Sequence, residues 1–195
     1  YEKYRPRRLA QVRGQDKAVA LLEAMRRESG FGGRAFWISG NSGTGKTTLA
    51  KIIAGEVASE WATWEADAGT LDATTLTEIE RTQWTTGLGG KGGRAYIVNE
   101  AHGLRRDAIR RLLTILEPIP PHVVWVFTTT RAGQANLFEN QEDSGPLASR
   151  CKRFPLTTQG LCEVFARLAY KTAAREGKNG RPLADYIRLV KDQRN

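Results

Sequence analysis

The chain has 195 residues, with 30 Lys and Arg against 21 Asp and Glu, and it carries a formal charge of +9 at pH 7. This length suffices for one well-packed core plus a small appendage, and the positive surplus suits a polyanionic partner. Two cysteines, Cys151 and Cys162, exclude a disulfide framework and a zinc site, which favours a reducing, intracellular compartment. No apolar run approaches the roughly 20 residues that cross a bilayer and no signal peptide is visible, so we expect no membrane association.

The N-terminal segment is basic and starts at Tyr1 rather than Met, from which we expect a fragment of a longer protein. Pro6 keeps the residue before it extended, so residues 1–13 are predicted to form a strap rather than a helix. Asp16 is the predicted N-cap of a helix over residues 17–27, which has apolar side chains on one face. The glycines at 30–33 end this helix.

Residues 40–47 follow the phosphate-binding pattern G-x-x-x-x-G-K-S/T without a gap. An apolar run at 35–39 predicts a buried strand before them, and apolar residues at helical spacing over 48–54 predict a helix after them. Glycines in such a loop let successive N–H groups point at phosphate oxygens beside the positive end of the helix. The predicted nucleotide-binding residues of this segment are Gly40, Asn41, Ser42, Gly43, Thr44, Gly45, Lys46, Thr47 and Thr48.

Two side chains of this loop have specific predicted roles. Lys46 reaches the β- and γ-phosphates, and the hydroxyl of Thr47 ligates magnesium. The alternative is a glycine-rich turn before an ordinary helix, and the flanking strand and helix argue against it. We therefore predict that the chain binds a nucleoside triphosphate.

The rest of the chain alternates strands with helices. Strands are predicted at 62–66, 95–98 and 123–127, and helices at 71–84, 104–117, 159–175 and 182–194. Residues 85–93 are predicted to be an exposed, glycine-rich loop. Residues 131–147, which include Glu139, Glu142 and Asp143, are predicted to be a polar, irregular surface insertion. Strands that alternate with helices at this pitch predict an α/β fold with a parallel sheet.

An apolar strand at 95–98 ends in Asn99 and Glu100, where the second motif of a nucleotide site belongs. Hydrolysis needs a carboxylate that orients and deprotonates water in line with the γ-phosphate, and Glu100 is placed for this role. An acidic residue that holds magnesium usually stands at the preceding position. Asn99 contributes no charge there, so we expect weaker metal binding and slower turnover. The alternative is that both residues only end a strand.

Two further polar residues are candidates near the predicted carboxyl edge of the sheet. Thr130 could place its hydroxyl beside the attacking water or the γ-phosphate, but residues 128–130 could equally be strand formers that end in a turn. His102 follows Glu100 closely, and we interpret it as structural. Neither histidine nor cysteine forms a metal cluster or a catalytic triad in this sequence.

Five segments in this order resemble the sliding-clamp-loader ATPases of the AAA+ class, such as replication factor C small subunits and the bacterial gamma subunit. They are Tyr4-Arg5-Pro6, Val12-Arg13-Gly14-Gln15, the loop at 40–47, Asn99-Glu100-Ala101-His102 and Ser149-Arg150-Cys151. The resemblance covers roughly residues 1–175. The Ser-Arg-Cys tripeptide, followed by Phe154 and Leu156, is its most specific part, because the phosphate loop is shared by many unrelated proteins.

The resemblance implies the three-layer AAA+ fold of P-loop NTPases, with a five-stranded parallel sheet at 1–156 and a partial helical lid at 157–195. It implies that Tyr4, Arg5, Pro6 and Val12 line an adenine pocket and that Thr130 is the sensor-1 residue. Arg150 matches an arginine finger, which completes the nucleotide site of a neighbouring subunit. ATP and Mg²⁺ are the implied ligands.

The resemblance also implies partners: other clamp-loader subunits in a ring, a sliding clamp and primer–template DNA, in the cytoplasm at the replication fork. Four features depart from the family pattern. Asn99 replaces an acidic residue, and residues 131–147 are longer than the usual connection. The cysteine cluster of the bacterial gamma subunit is missing, and the chain stops within the lid, before the collar. We therefore expect a monomer or weak oligomer in isolation.

Basic residues cluster where this family touches DNA. Arg105 and Arg106 open the helix after Glu100 and are predicted to contact backbone phosphates, whereas helical geometry makes Arg110 and Arg111 weaker candidates. A solvated helix face is the alternative. No aromatic residues alternate with these charges, so no base-stacking surface is predicted.

Three functional hypotheses follow. The first is an ATP-hydrolysing, clamp-loader-like subunit that works in a ring on DNA. The second is a binding module that holds ATP as a structural ligand and hydrolyses it negligibly, as Asn99 and the short lid suggest. The third is another AAA+ machine, such as an initiator or a branch-migration motor, against which Ser149-Arg150-Cys151 argues.

Overall fold

The computed structural model describes residues 2–87, 89–140, 144–178 and 180–192. A five-stranded sheet lies at its centre, all neighbouring strands are parallel, and the strand order is β2-β3-β4-β1-β5. The strands are β1 (Arg34–Ser39), β2 (Ala58–Asp67), β3 (Gly93–Asn99), β4 (Val123–Thr129) and β5 (Cys151–Pro155). The predicted parallel α/β fold is confirmed, and β5 is the strand that periodicity did not locate.

Eight α-helices connect and flank the described strands. They are α1 (Asp16–Glu28), α2 (Lys46–Val57), α3 (Ala73–Thr82), α4 (Arg106–Ile115), α5 (Arg131–Asn140), α6 (Ser144–Ser149), α7 (Leu161–Arg175) and α8 (Leu183–Asp192). Short 3₁₀ turns, at Glu2–Tyr4 and Leu9–Gln11, shape the N-terminal strap. None of the described helices has the length and apolar character that a membrane span requires.

Both faces of the sheet are covered, which explains why β4 is buried along its whole length and reads as an unbroken apolar run. One core contains residues of α1 and α2 together with Phe36, Ile38 and Val126. The other contains residues of α3 and α4 together with Trp37 and Trp125. Helices α1 and α4 therefore lie on opposite faces of the sheet.

Several element boundaries differ from the prediction. Helix α1 begins at Asp16, and Gln15 rather than Asp16 occupies the N-cap position. Helix α3 begins later than expected because the Asp72 carboxylate accepts the N–H of Thr75 (2.7 Å) and caps it there. Strand β2 is longer than predicted, and its pairing with β3 is irregular between Ala58 and Thr63.

The prediction of an irregular insertion at 131–147 is wrong. This segment contains α5 and most of α6, and it packs against the core through the buried side chains of Leu137 and Leu147. Ser144 also ties the two helices together, because its Oγ donates to the Leu137 carbonyl (3.2 Å). A few buried apolar anchors are enough to fold a mostly polar segment. Glu142 and Asp143, which we expected on its surface, lie outside the described residues.

Helices α7 and α8 form a hairpin at the C-terminal end of the described chain. The rings of Tyr170 and Tyr186 meet edge to face, with centroids 5.8 Å apart. Leu161 and Ala166 of α7 are buried, whereas α8 has no fully buried residue. This hairpin occupies the segment at 157–195 that we expect to be a partial lid, and the boundary at residue 156 stays a prediction.

Candidate nucleotide site

The predicted phosphate loop connects β1 to α2 at the carboxyl edge of the sheet. Gly43 and Gly45 have φ of +73° and +96°, a left-handed conformation that side chains other than glycine rarely adopt. Gly40 is needed for another reason: a Cβ there would lie 3.0 Å from Leu156 Cβ. The loop therefore packs against the end of β5, and its glycines allow it to curl in front of α2.

Lys46 is the buried cation of this loop, with 8% of its surface exposed. Among the described residues, its ammonium has a neutral hydrogen-bond acceptor, the Asn41 carbonyl, at 3.2 Å. Burial lowers the pKa of Lys46 below the ordinary value of 10.5, and the negative charge of Glu100 opposes this shift. A desolvated ammonium whose hydrogen-bond acceptor is a neutral carbonyl suits an anionic phosphate group.

The side chain of Asn99 is hydrogen-bonded at both ends, across three adjacent strands. Its Oδ1 accepts from Thr128 Oγ1 (2.9 Å), and its Nδ2 donates to Glu65 Oε1 (2.8 Å). The other oxygen of Glu65 lies 3.1 Å from the ammonium of Lys51 on α2. Asn99 therefore links β2, β3 and β4, and Glu65 extends this network to Lys51 in the middle of α2.

Glu100 follows β3 in a left-handed conformation with φ of +50°, which no other described non-glycine residue has. This conformation is strained, and such strain is common at functional sites. Its carboxylate is half exposed and lies 3.3 Å from Nδ1 of His102. That nitrogen is also 3.2 Å from Thr129 Oγ1, and the ring packs so closely on Gly133 that a Cβ there would lie 2.4 Å from it.

Thr130 lies one residue beyond the end of β4. Its Oγ1 accepts the N–H of Gly133 (3.0 Å), so the hydroxyl stabilises the first turn of α5. The buried hydroxyls at this edge of the sheet belong to Thr128 and Thr129, which are bonded to Asn99 and His102. The sensor role of Thr130 stays a prediction.

The strap lies partly apart from the phosphate loop. Arg5 and Pro6 line a cavity of about 460 Å³ with Lys51 and Glu65, beside the second half of α2. The hydroxyl of Tyr4 and the ammonium of Lys3 both donate to Glu176 at the end of α7. Val12 packs against the core on the α2 face. The predicted adenine-pocket residues are thus spread along the strap.

The predicted arginines occupy different surfaces. Arg150 is at the end of α6, and its Nη2 lies 3.0 Å from Glu117 Oε1. Arg105 and Arg106 are exposed at the start of α4. Arg111 instead forms an ion pair with Glu80 of α3. The expectation that Arg111 is a weaker candidate for DNA contact than Arg105 and Arg106 stays a prediction.

Two residues near the loop had no predicted chemical role. Glu65 binds Asn99, and Gln15 binds backbone groups of Thr44 and Thr157. Gln15 was part of a recognised motif, but a buried amide that links distant segments leaves no periodic signal in the sequence.

No protein-family model matches the chain. The DNA polymerase III subunit gamma/tau of Mycoplasma genitalium is 30% identical over 186 residues, which cover 79% of the chain and 28% of that protein. The replication factor C large subunit of Haloarcula marismortui is 35% identical over 115 residues, which cover 56% of the chain and 22% of that protein. The chain thus spans less than a third of the length of these curated relatives.

A solved structure of the Thermotoga maritima RuvB Holliday junction branch migration motor superposes with a TM-score of 0.63 and 26% identity, covering 96% of the chain and 64% of that structure. The fold is shared with this motor, whereas the similar curated sequences are clamp-loader subunits. By sequence and by fold, the chain is a homologue of the clamp-loader subunits of the AAA+ class of P-loop ATPases.

Proposed function

We propose that the chain binds ATP with Mg²⁺ at its phosphate loop and hydrolyses it as one subunit of a clamp-loader-type ring in DNA replication. The observation that carries this proposal is the glycine loop between β1 and α2, in which Lys46 is buried and its ammonium has the Asn41 carbonyl as hydrogen-bond acceptor. Its supporting context is the sequence similarity to gamma/tau and replication factor C subunits.

In this proposal the triphosphate lies in front of α2. The N–H groups of residues 43–47 and the ammonium of Lys46 bind phosphate oxygens, and the Asn41 carbonyl then gives up its bond to Lys46. The hydroxyl of Thr47, which opens α2, would hold Mg²⁺. When bound, this ion neutralises phosphate charge.

The two residues predicted to hold the metal, Thr47 and Asn99, supply neutral oxygens rather than carboxylates. Within the described ranges, no three His, Cys, Asp or Glu side chains come close enough together to hold a metal ion. Both ends of the Asn99 amide are engaged by Thr128 and Glu65. Because Mg²⁺ prefers anionic oxygens, the phosphates themselves would supply the charge that binds it.

Glu100 is the proposed base. Its half-exposed carboxylate lies at the carboxyl edge of the sheet, on the same side as Lys46, and its strained backbone holds it out of the strand. Water between this carboxylate and the γ-phosphate would lose a proton to Glu100 as it attacks.

In this proposal Thr130 is the sensor-1 residue, and its hydroxyl would leave the N–H of Gly133 to reach the attacking water or the γ-phosphate. His102 is structural and contacts Glu100 and Thr129.

Arg150 would act in trans. It lies at the protein surface, and in a ring its guanidinium would reach the nucleotide of the next subunit and stabilise charge in the transition state. ATP binding would tighten such a ring around primer–template DNA, onto which a sliding clamp is loaded, and hydrolysis would release the ring. Arg105 and Arg106 would contact DNA phosphates.

A second function is favoured by one observation, the state of Asn99. Its amide is bonded on both sides and carries no charge, which suits a module that holds ATP structurally and hydrolyses it negligibly. A branch-migration motor is a third candidate, to which the fold shared with RuvB would apply equally well. Stimulation of turnover by a sliding clamp, rather than by junction DNA, would separate the first candidate from this one.

The deciding experiment measures ATP binding and ATP turnover, with and without primed DNA, for the wild type and for Glu100→Gln. If the chain is an ATPase, DNA raises turnover and E100Q abolishes it while ATP binding persists. If the wild type binds ATP but its turnover stays near zero, as in E100Q, the structural-ligand function replaces the proposed one. Substantial and equal turnover of both proteins would refute Glu100 as the base. Failure of the wild type to bind ATP would refute both.

A further inference from the structure

Gln15 connects the phosphate loop to the start of α7 through its side-chain amide. Its Oε1 accepts the N–H of Thr157 (3.0 Å), and its Nε2 donates to the carbonyl of the same residue (2.9 Å). Nε2 also donates to the Thr44 carbonyl within the phosphate loop (3.3 Å). Only 4% of Gln15 is exposed, so water does not readily replace these bonds.

The backbone beside Gln15 meets α7 as well. Gly14 has φ of +77°, and a Cβ at this position would lie 2.3 Å from Leu161 Cδ2. Leu161 is fully buried and is the first residue of α7. Gln15 and Gly14 thus hold the segment that leads from β5 into α7 at two points, one polar and one apolar.

The bond to the Thr44 carbonyl bears directly on phosphate binding. A peptide unit is planar and trans, so its C=O and N–H point in opposite directions. The N–H of Gly45 belongs to the same peptide unit as the Thr44 carbonyl. Because Gln15 draws this carbonyl towards itself, the Gly45 N–H is directed away from Gln15, and in the proposed nucleotide site that N–H is a phosphate donor.

The loop also has internal bonds that a phosphate must replace. The N–H of Thr44 and the ammonium of Lys46 both donate to the Asn41 carbonyl, at 3.3 and 3.2 Å. A phosphate that takes over these donors reorients the peptides around Thr44. Gln15 is hydrogen-bonded to one of those peptides through the Thr44 carbonyl, and its other hydrogen bonds are to Thr157, just before α7. A shift of the loop therefore changes how firmly Gln15 holds the start of α7.

We propose that Gln15 is a positioning residue that orients the Gly45 N–H for phosphate and transmits occupancy of the loop to α7, and through it to α8. This inference rests on the proposed nucleotide site. A merely structural Gln15 would hold the loop and α7 in place whether or not nucleotide is bound. The proposed role instead requires that the first turn of α7 respond to nucleotide and that this response depend on the side-chain amide of Gln15.

The test compares Gln15→Leu with a matched control, Gln83→Leu. Gln83 is also buried, at 1% exposed, and among the described residues its amide atoms have no hydrogen-bond partner. It lies at the end of α3, away from the phosphate loop. Both variants therefore lose the same atoms from a buried site, but only Q15L loses the link between Thr44 and Thr157.

The measurements are binding of a non-hydrolysable ATP analogue and hydrogen exchange of residues 157–175, with and without the analogue. In the wild type and Q83L, we expect the analogue to slow exchange in this segment. In Q15L, we expect affinity to fall about tenfold, as for the loss of one buried hydrogen bond. At saturating analogue, exchange of α7 in Q15L should no longer respond.

A nucleotide response of α7 in Q15L equal to that of the wild type would overturn the inference and leave the proposed nucleotide site intact. A wild type that does not bind the analogue would refute the nucleotide site itself, and the inference with it. Should Q15L fail to fold, Gln15→Glu serves instead. It keeps an acceptor for the Thr157 N–H but has no N–H for the carbonyls of Thr44 and Thr157, so the same loss of response is expected.

Discussion

Arg150 Nη2 and Glu117 Oε1 form an ion pair at 3.0 Å, in which the arginine side chain is 32% exposed and the glutamate 70%. This pair joins the end of α6 to the turn after α4. Exposed ion pairs contribute about 0–1 kcal/mol, so a neighbouring subunit could break this one at little cost. Glu117 therefore keeps Arg150 close to its own subunit without preventing a role in trans.

For assembled, DNA-stimulated protein, we predict that Arg150→Ala loses most of the ATP turnover while ATP binding is unchanged. Loss of a transition-state contact of this kind lowers turnover by about 10³-fold or more. Glu117→Gln is the matched variant, because it removes the negative charge opposite Arg150 but keeps the guanidinium, and its turnover should equal that of the wild type. Steady-state turnover of both variants checks this. Equal turnover of R150A and the wild type would show that the site is complete within one subunit.

Lys46→Met should abolish ATP binding and also stabilise the ligand-free protein, because it removes a desolvated charge whose hydrogen-bond acceptor is a carbonyl. We expect a rise in Tm of roughly 2–4 °C, as for about 1 kcal/mol in a chain of this size. Thermal unfolding without nucleotide measures it. A lower Tm for K46M would mean that Lys46 stabilises the empty loop.

The same lysine predicts a pH dependence. Burial lowers the pKa of Lys46 below 10.5, so the folded state loses its proton before the unfolded state as pH rises. Below the folded-state pKa the destabilising charge is fully present, and it is relieved as pH rises towards 10.5. The stability advantage of K46M should therefore shrink in alkaline buffer, where wild-type affinity for ATP should also fall. Urea unfolding at several pH values tests this, and a constant difference would contradict it.

Asn99→Asp should destabilise the ligand-free protein by roughly 0.5–1.5 kcal/mol, as for the loss of one hydrogen bond that water can reach. The amide N–H that now reaches Glu65 at 2.8 Å is lost, and two carboxylates meet instead. The hydroxyl of Thr128 can still donate its hydrogen bond to the side chain at position 99, whether that side chain is asparagine or aspartate. The double variant with Glu65→Gln should recover most of the loss, because the new amide can donate to the aspartate. A denaturant double-mutant cycle with no coupling between the two positions would refute the pairing.

Joint replacement of Arg105 and Arg106 by Ala should weaken DNA binding uniformly across sequences. Two lost phosphate contacts reduce the slope of log K against log salt by about 1.8. Arg27→Ala is the control, since Arg27 is exposed on α1, on the opposite face of the sheet. Binding isotherms at several salt concentrations decide the outcome, and an equal slope for the double variant and R27A would assign these arginines to a solvated helix face.

Much of the fold could be predicted because its signals are local. The apolar run at 123–127 predicted a strand, and β4 is indeed buried along its whole length between the helices that cover the two faces of the sheet. Helix α5 was missed because its segment is mostly polar, and no local pattern shows that Leu137 meets the core. The start of α3 was placed too early because the Asp72 cap was not recognised.

The sequence by itself determined the phosphate loop, because glycines, lysine and threonine at fixed spacing between a strand and a helix need no distant partner to be recognised. Only the tertiary structure decided what holds that loop and its surroundings. Gln15 bonds to Thr157, which is 142 positions away, and Asn99 bonds to Glu65, which is 34 positions away. Such contacts follow from the order in which parallel strands assemble and from the burial that removes water from polar groups, and neither is encoded at any single position of the chain.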